Sequence, residues 1–133
     1  MTSRQISQRS VAETDIIIDA RTTDQFFADA ARRARGIDAG DLTPQPARLS
    51  FASMEMLLDA LTANRWRVLR ALQGGGHTSI RALARLLGRD YRGVHGDVTR
   101  LIELGLVARD DSKRVFVPWR RITAEISVDE EAA

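Results

Sequence analysis

Residues 79–106, SIRALARLLGRDYRGVHGDVTRLIELGL, constrain this chain more than any other stretch. Ile80, Leu83, Ala84 and Leu87 recur at the spacing of one helical face, and Val94, Val98, Leu101 and Ile102 do so again after Gly88. Two amphipathic helices joined by a few residues around a glycine form the helix-turn-helix pattern. In that pattern the second helix enters the major groove of DNA. Two helices cannot bury both apolar faces alone, so a third must precede them. The segment 63–73 supplies it, with Trp66, Val68, Leu69 and Leu72 on one face, Thr62 as cap and Gly74-Gly75-Gly76 as stop. A shorter helix from Ser53 carries Met54, Leu57, Leu58 and Leu61.

After Gly105 the period changes. Residues 106–109 and 114–117 read as strands around the turn-rich Asp110-Asp111-Ser112-Lys113. A hairpin directly after a recognition helix is the wing of a winged helix. Ile122, Ala124, Ile126 and Val128 alternate with polar residues, which predicts one more strand before an acidic tail.

The N-terminal part has a different character. Residues 1–14 are polar and read as disordered. Asp15–Arg21, with three consecutive isoleucines, reads as a short buried strand. Thr22 to Gln25 fits a capping box, and Phe26, Phe27, Ala30, Ala31 and Ala34 give helix 22–35 an apolar face, with Gly36 at its end. That face suits another helix or a second subunit. Residues 36–50, with two glycines and two prolines, read as a linker. Both outlying strands are too short to stand unpaired, so they pair with each other or across a dimer.

The expected fold is therefore mainly α with a small β wing, an α+β chain. Its divisions are a disordered 1–14, a strand-helix appendage at 15–35, a linker at 36–50, a winged helix-turn-helix at 51–121, and a C-terminal strand and acidic tail at 122–133. The formal net charge of +2 conceals an asymmetry. Residues 60–121 hold 13 basic and 5 acidic side chains, whereas 1–59 hold 7 and 9. A basic segment between acidic ends fits a module that binds a polyanion. Nineteen of the 20 basic residues are arginine, the side chain suited to bidentate phosphate and guanine contacts. A GC-rich genome would give the same preference.

Taken together, LTANRWRVLRAL, the helix pair and the hairpin resemble the winged helix-turn-helix of MarR-type and ArsR-type regulators. More narrowly, the chain is similar to a group of short bacterial and archaeal winged-helix proteins. Their pattern of F-x-S-x-E-x-L, L-T-x-x-R, S-I-x-x-L-A, R-D-Y-x-x-V-H-x-D-V and E-x-G-L falls here at Phe51–Leu57, Leu61–Arg65, Ser79–Ala84, Arg89–Val98 and Glu103–Leu106. The resemblance covers about residues 51–118. It implies a DNA-binding transcriptional regulator and, less directly, an antitoxin that autoregulates beside a toxin. Where the group carries a basic residue after His95, this chain has Gly96. Gly93 also falls on the face expected to be exposed. Two readings stand for these glycines: close approach of the helix to DNA, or drift at solvent-facing positions held by packing.

The candidate DNA-binding residues follow. Ser79, with Thr78, is expected to cap the first helix, where free amides can also take a phosphate. Arg89, Tyr91, Arg92, Gly93, His95, Gly96, Thr99 and Arg100 lie on or before the second. Lys113 and Arg114 lie at the wing tip. Asp90 suits a cap, and Asp97 and Glu103 suit pairing with a nearby arginine. Arg65, Arg67 and Arg70 read as the solvated face of the preceding helix. Asp110 and Asp111 weaken the wing as a DNA contact.

The partners expected are double-stranded DNA and a second copy of the chain, which would make a homodimer. The alternative is a protein-interaction module that binds and neutralises a partner such as a toxin. With no cysteine and two histidines, no metal site is expected, and no cofactor. The sequence has no phosphate-binding glycine loop and no nucleophile–base pair, so no enzyme activity is expected. The N-terminus lacks the apolar core of a signal peptide, so a cytoplasmic location is expected.

Overall fold

Two glycines set the lengths of the central helices. Gly88 (φ 65°) closes one helix, with the Arg89 amide reaching back to the Ala84 carbonyl at 3.0 Å. Gly105 (φ 82°) closes the next, with the Leu106 amide donating to the Leu101 carbonyl at 3.0 Å. Both are Schellman closures, which need the left-handed conformation that glycine adopts without a Cβ penalty.

The computed structural model describes residues 14–74 and 76–128. In chain order they form β1 (Asp15–Ala20), α1 (Thr23–Asp38), β2 (Ala47–Phe51), α2 (Met54–Ala60), α3 (Ala63–Gln73), α4 (Ile80–Leu87), α5 (Tyr91–Glu103), β3 (Ala108–Arg109), β4 (Val115–Phe116) and β5 (Arg121–Ala124). The fold is mixed α+β. The expectations for the N-terminus (Thr14 excepted) and for the tail from Asp129 lie outside the described residues. Among those described, no helix is long and apolar enough to cross a membrane.

The chain divides into two units, residues 60–120 and the remainder. In the first, α3, α4 and α5 pack together. Val68, Leu69 and Leu72 of α3, Ile80, Leu83 and Ala84 of α4, and Val94, Val98 and Leu101 of α5 are buried, as the 3.6-residue period requires. Leu106, Val107 and Val115 extend this core into the hairpin. Each fully buried leucine or valine contributes about 1.5–3 kcal/mol of transfer free energy. β3 and β4 pair antiparallel, Ala108 with Phe116 and Arg109 with Val115. The hairpin is tied to the start of α4 by a two-way backbone bridge between Thr78 and Val115, at 3.1 and 2.8 Å. The paired strands are shorter than the 106–109 and 114–117 expected.

The other unit is a three-stranded, all-parallel sheet in the order β2-β1-β5. Ile16 and Ile18 point to one side with their neighbours Ala47, Leu49, Ile122 and Ala124. On the alternate side Asp19 is buried and accepts from Arg21 Nε (3.1 Å), Arg48 (2.6 Å) and the Ser50 hydroxyl (2.6 Å). Three donors compensate a carboxylate that would otherwise be costly to bury.

This unit corrects one expectation and decides between the alternatives of another. Residues 36–50 are not simply a linker, because they contain the last turn of α1 and most of β2. The helix runs through Gly36 to Asp38, and its end is held by the Ala39 and Asp41 amides, which donate to the carbonyls of Arg35 and Gly36. The strands at 15 and 121 do pair with each other within one chain. The capping box at Thr22 and Gln25 forms as expected.

Candidate nucleic-acid interface

The turn between α4 and α5 is built from local chemistry. The Ser79 hydroxyl accepts from the Ala82 amide at 3.0 Å and starts α4. Asp90 accepts from the Gly93 amide at 2.8 Å and starts α5, satisfying an amide that has no helical partner. Val94, Val98 and Leu101 then anchor α5 inward, which turns Arg92, His95, Gly96, Thr99 and Arg100 to solvent. Tyr91 is 43% exposed; the Arg81 guanidinium stands 4.9 Å from its ring centre, and the His95 ring lies 5.7 Å away. Arg81, on α4, thus borders the exposed surface of α5. It escaped the sequence reading because the contact joins two helices.

Three candidate residues, and Arg65 beside them, are placed differently from expectation. Arg89 is turned inward: its guanidinium forms an ion pair with Asp97 at 2.9 Å, and the same carboxylate meets Arg65 Nε at 3.1 Å. Arg65 also donates to the Ala60 carbonyl at 2.9 Å, so it is a bridge between elements and not part of a solvated face. The pairing expected for Asp97 is present. Thr78 does not cap α4, since its backbone pairs with Val115. Gly93 is half-buried and does not face outward. A Cβ there would stand 3.1 Å from Asp90 Oδ1 and 3.2 Å from an Arg89 nitrogen.

Gly96 is the opposite case. It is exposed, and a Cβ there would meet nothing within 4 Å. Gly96→Ala is therefore expected to stabilise the fold by about 0.5–1 kcal/mol, through helix propensity alone. Gly93→Ala should gain less or lose, because Arg89 and the capping Asp90 must shift. Paired denaturant titrations of the two variants check this.

At the hairpin, Asp110 organises the turn. Oδ1 accepts from the amides of Ser112 (2.8 Å) and Arg114 (2.9 Å), while Oδ2 lies 2.6 Å from His77 Nδ1. The His77 ring stacks on Phe116 with centroids 4.1 Å apart. Asp110, expected to weaken the wing as a DNA contact, has its carboxylate engaged within the turn. Lys113 takes a left-handed conformation (φ 65°) at the tip, and both Lys113 and Arg114 are exposed. Behind the hairpin, Trp119 Nε1 donates to the Gly105 carbonyl at 2.9 Å, and the Gln73 side chain donates to the carbonyls of Trp119 and Arg120. These long-range contacts left no local signal in the sequence.

The His77 hydrogen bond, followed by that from the Arg114 amide, holds the Asp110 carboxyl below its ordinary value of 3.8. A lowered carboxyl pKa favours the folded turn above the ordinary value, and the contribution disappears as pH falls through the lowered one. Acidification through that range should shift the Ser112 and Arg114 amide resonances. Asp110→Asn should remove the transition, as amide spectra recorded against pH would reveal.

The five acidic residues of 60–121 are mostly engaged internally. Asp90 caps, Asp97 pairs with two arginines, Asp110 holds the turn, and Glu103 lies 3.4 Å from Arg100. The outward surface of α5 and the hairpin tip carry Arg92, Arg100, Lys113 and Arg114, with Glu103, paired to Arg100, and Asp111 as the exposed acids beside them. Such a surface can contact phosphates and hydrogen-bond base edges. Among the described residues, no group of three or more His, Asp or Glu side chains gathers as a metal site.

A family model described as HVO_A0114 matches residues 60–124, which spans the three-helix unit, the hairpin and β5 but not β1, α1 or β2. No curated protein and no solved structure matches the chain.

Proposed function

We propose that residues 60–120 act as a winged helix that binds double-stranded DNA, and that the chain is a transcriptional regulator. In this reading α5 lies in the major groove, with Arg92, His95, Thr99 and Arg100 toward base edges and phosphates. The β3–β4 hairpin brings Lys113 and Arg114 to the backbone or the minor groove. The observation that carries the reading is the arrangement of charge around α5: Asp90 is engaged in a cap, Asp97 in an internal ion pair and Glu103 with Arg100, while Arg92, His95 and Thr99 face out. Open space at Gly96 lets the helix backbone approach a duplex closely.

The test is a fluorescence-anisotropy titration of a duplex from the chain's own upstream region, beside an unrelated duplex, at several salt concentrations. Tighter binding to its own region is expected. If Arg92, Arg100, Lys113 and Arg114 neutralise four phosphates, log K should fall with log salt at a slope of about −3 to −4 per protein chain. Absence of duplex binding at low salt would overturn the reading.

A further inference from the structure

The β3–β4 hairpin is short for the task proposed for it. Two residue pairs join its strands, and an isolated hairpin of that size is marginal in water. Its tip nevertheless carries Lys113 and Arg114, both exposed. The aim of the tip must therefore be set from outside the two strands. At the base of the hairpin the Thr78–Val115 bridge does this, against the buried Val115. Nearer the tip the tie is made by His77.

His77 follows Gly74-Gly75-Gly76, so no side chain just before it can fix the segment that enters α4. Its ring lies flat on Phe116 of β4, with centroids 4.1 Å apart and planes 5° from parallel. From there Nδ1 stands 2.6 Å from Asp110 Oδ2. An ionised carboxylate only accepts, so the imidazole Nδ1 carries the proton and donates. The other Asp110 oxygen accepts from the amides of Ser112 and Arg114, which flank Lys113. Lys113 sits between them at φ 65°, a conformation unfavourable for lysine that these bonds hold in place. One imidazole thus connects the segment entering α4 to both amides around the tip cation.

We infer that His77 is a positioning residue for DNA binding: through its hydrogen bond to Asp110 it sets where Lys113 and Arg114 meet the duplex. This role rests on the reading of residues 60–120 as a DNA-binding unit. It requires no contact between His77 and DNA.

Anisotropy titrations across salt, with amide spectra of the same variants, give the test. His77→Ala is expected to weaken duplex binding about three- to tenfold. The slope of log K against log salt should become shallower by about 1 to 2, as one or both tip cations lose their phosphate. Duplex-induced shifts at residues 91–100 should persist while those at 112–114 shrink. In a chain that already carries Lys113→Ala and Arg114→Ala, adding His77→Ala should change affinity less than about twofold, because the contacts it positions are gone. His77→Asn keeps a donor toward Asp110 and should recover most of the affinity. His77→Phe keeps only the stack and should behave as the alanine variant. The His77 side chain is 47% exposed, so none of these changes opens a cavity in the core, and unfolding midpoints check that each variant is folded.

Parent affinity and slope in His77→Ala, or in His77→Phe, would overturn the inference and leave DNA binding standing. An equal loss with and without the tip cations would overturn it too, by assigning His77 to fold stability. Absence of duplex binding by the unaltered chain would instead remove the DNA reading itself, and this role with it.

Discussion

Replacing Arg92 and His95 together with alanine is expected to weaken duplex binding by about 30-fold or more while leaving the unfolding transition nearly unchanged. A side chain that reads a base or holds a phosphate contributes about 1–3 kcal/mol, so loss of two amounts to at least about 2 kcal/mol. Both residues are exposed, and alanine is the better helix former, so the fold loses little. The Tyr91 ring keeps its contact with the Arg81 guanidinium, 4.9 Å from the ring centre. Equal affinity of variant and parent would remove α5 as the reading helix. An affinity loss accompanied by unfolding would assign these residues to structure.

The second large effect belongs to Asp97. Its carboxylate joins Arg65 of α3 to Arg89 in the turn before α5, with side-chain exposures of 14% for Asp97, 22% for Arg65 and 23% for Arg89. Asp97→Ala leaves two half-buried guanidinium groups facing each other with no anion between them. Loss of a fully buried partner costs about 3–5 kcal/mol, and the residual exposure here brings the expectation to about 2 kcal/mol. For a unit of this size that is about 10 °C in Tm. Asp97→Asn keeps an acceptor and should lose about half as much. A loss below about 0.5 kcal/mol for the alanine variant would mean that the network is ornamental.

The helical unit was legible because its signals are local. Thr62, Ser79 and Asp90 cap the helices they precede, and Val94, Val98 and Leu101 fall on the buried face that their spacing demands. The parallel sheet was half legible. Ile16–Ile18 announced β1, but Ala47, Leu49 and Phe51 alternate in a stretch where Pro44 and Pro46 suggested a loop. Their pairing with β1 is made across a crossover that no local pattern records. Within the candidate site, Arg92, His95, Thr99 and Arg100 could be placed from the helical period alone. Arg89 could not, because the carboxylate that draws it inward also binds Arg65, 32 residues earlier in the chain. The role of Asp110 in the turn was hidden for a related reason. Its charge is visible in the sequence, but its engagement with His77 depends on how the hairpin returns to the start of α4.

The most direct measurement is an amide chemical-shift titration of the nitrogen-15-labelled chain with duplex DNA. The account predicts that the largest shifts cluster at residues 91–100 and at the hairpin tip, 112–114, with smaller ones at 78–79. Shifts confined to residues 15–51, or to α3 with 91–100 unmoved, would contradict it.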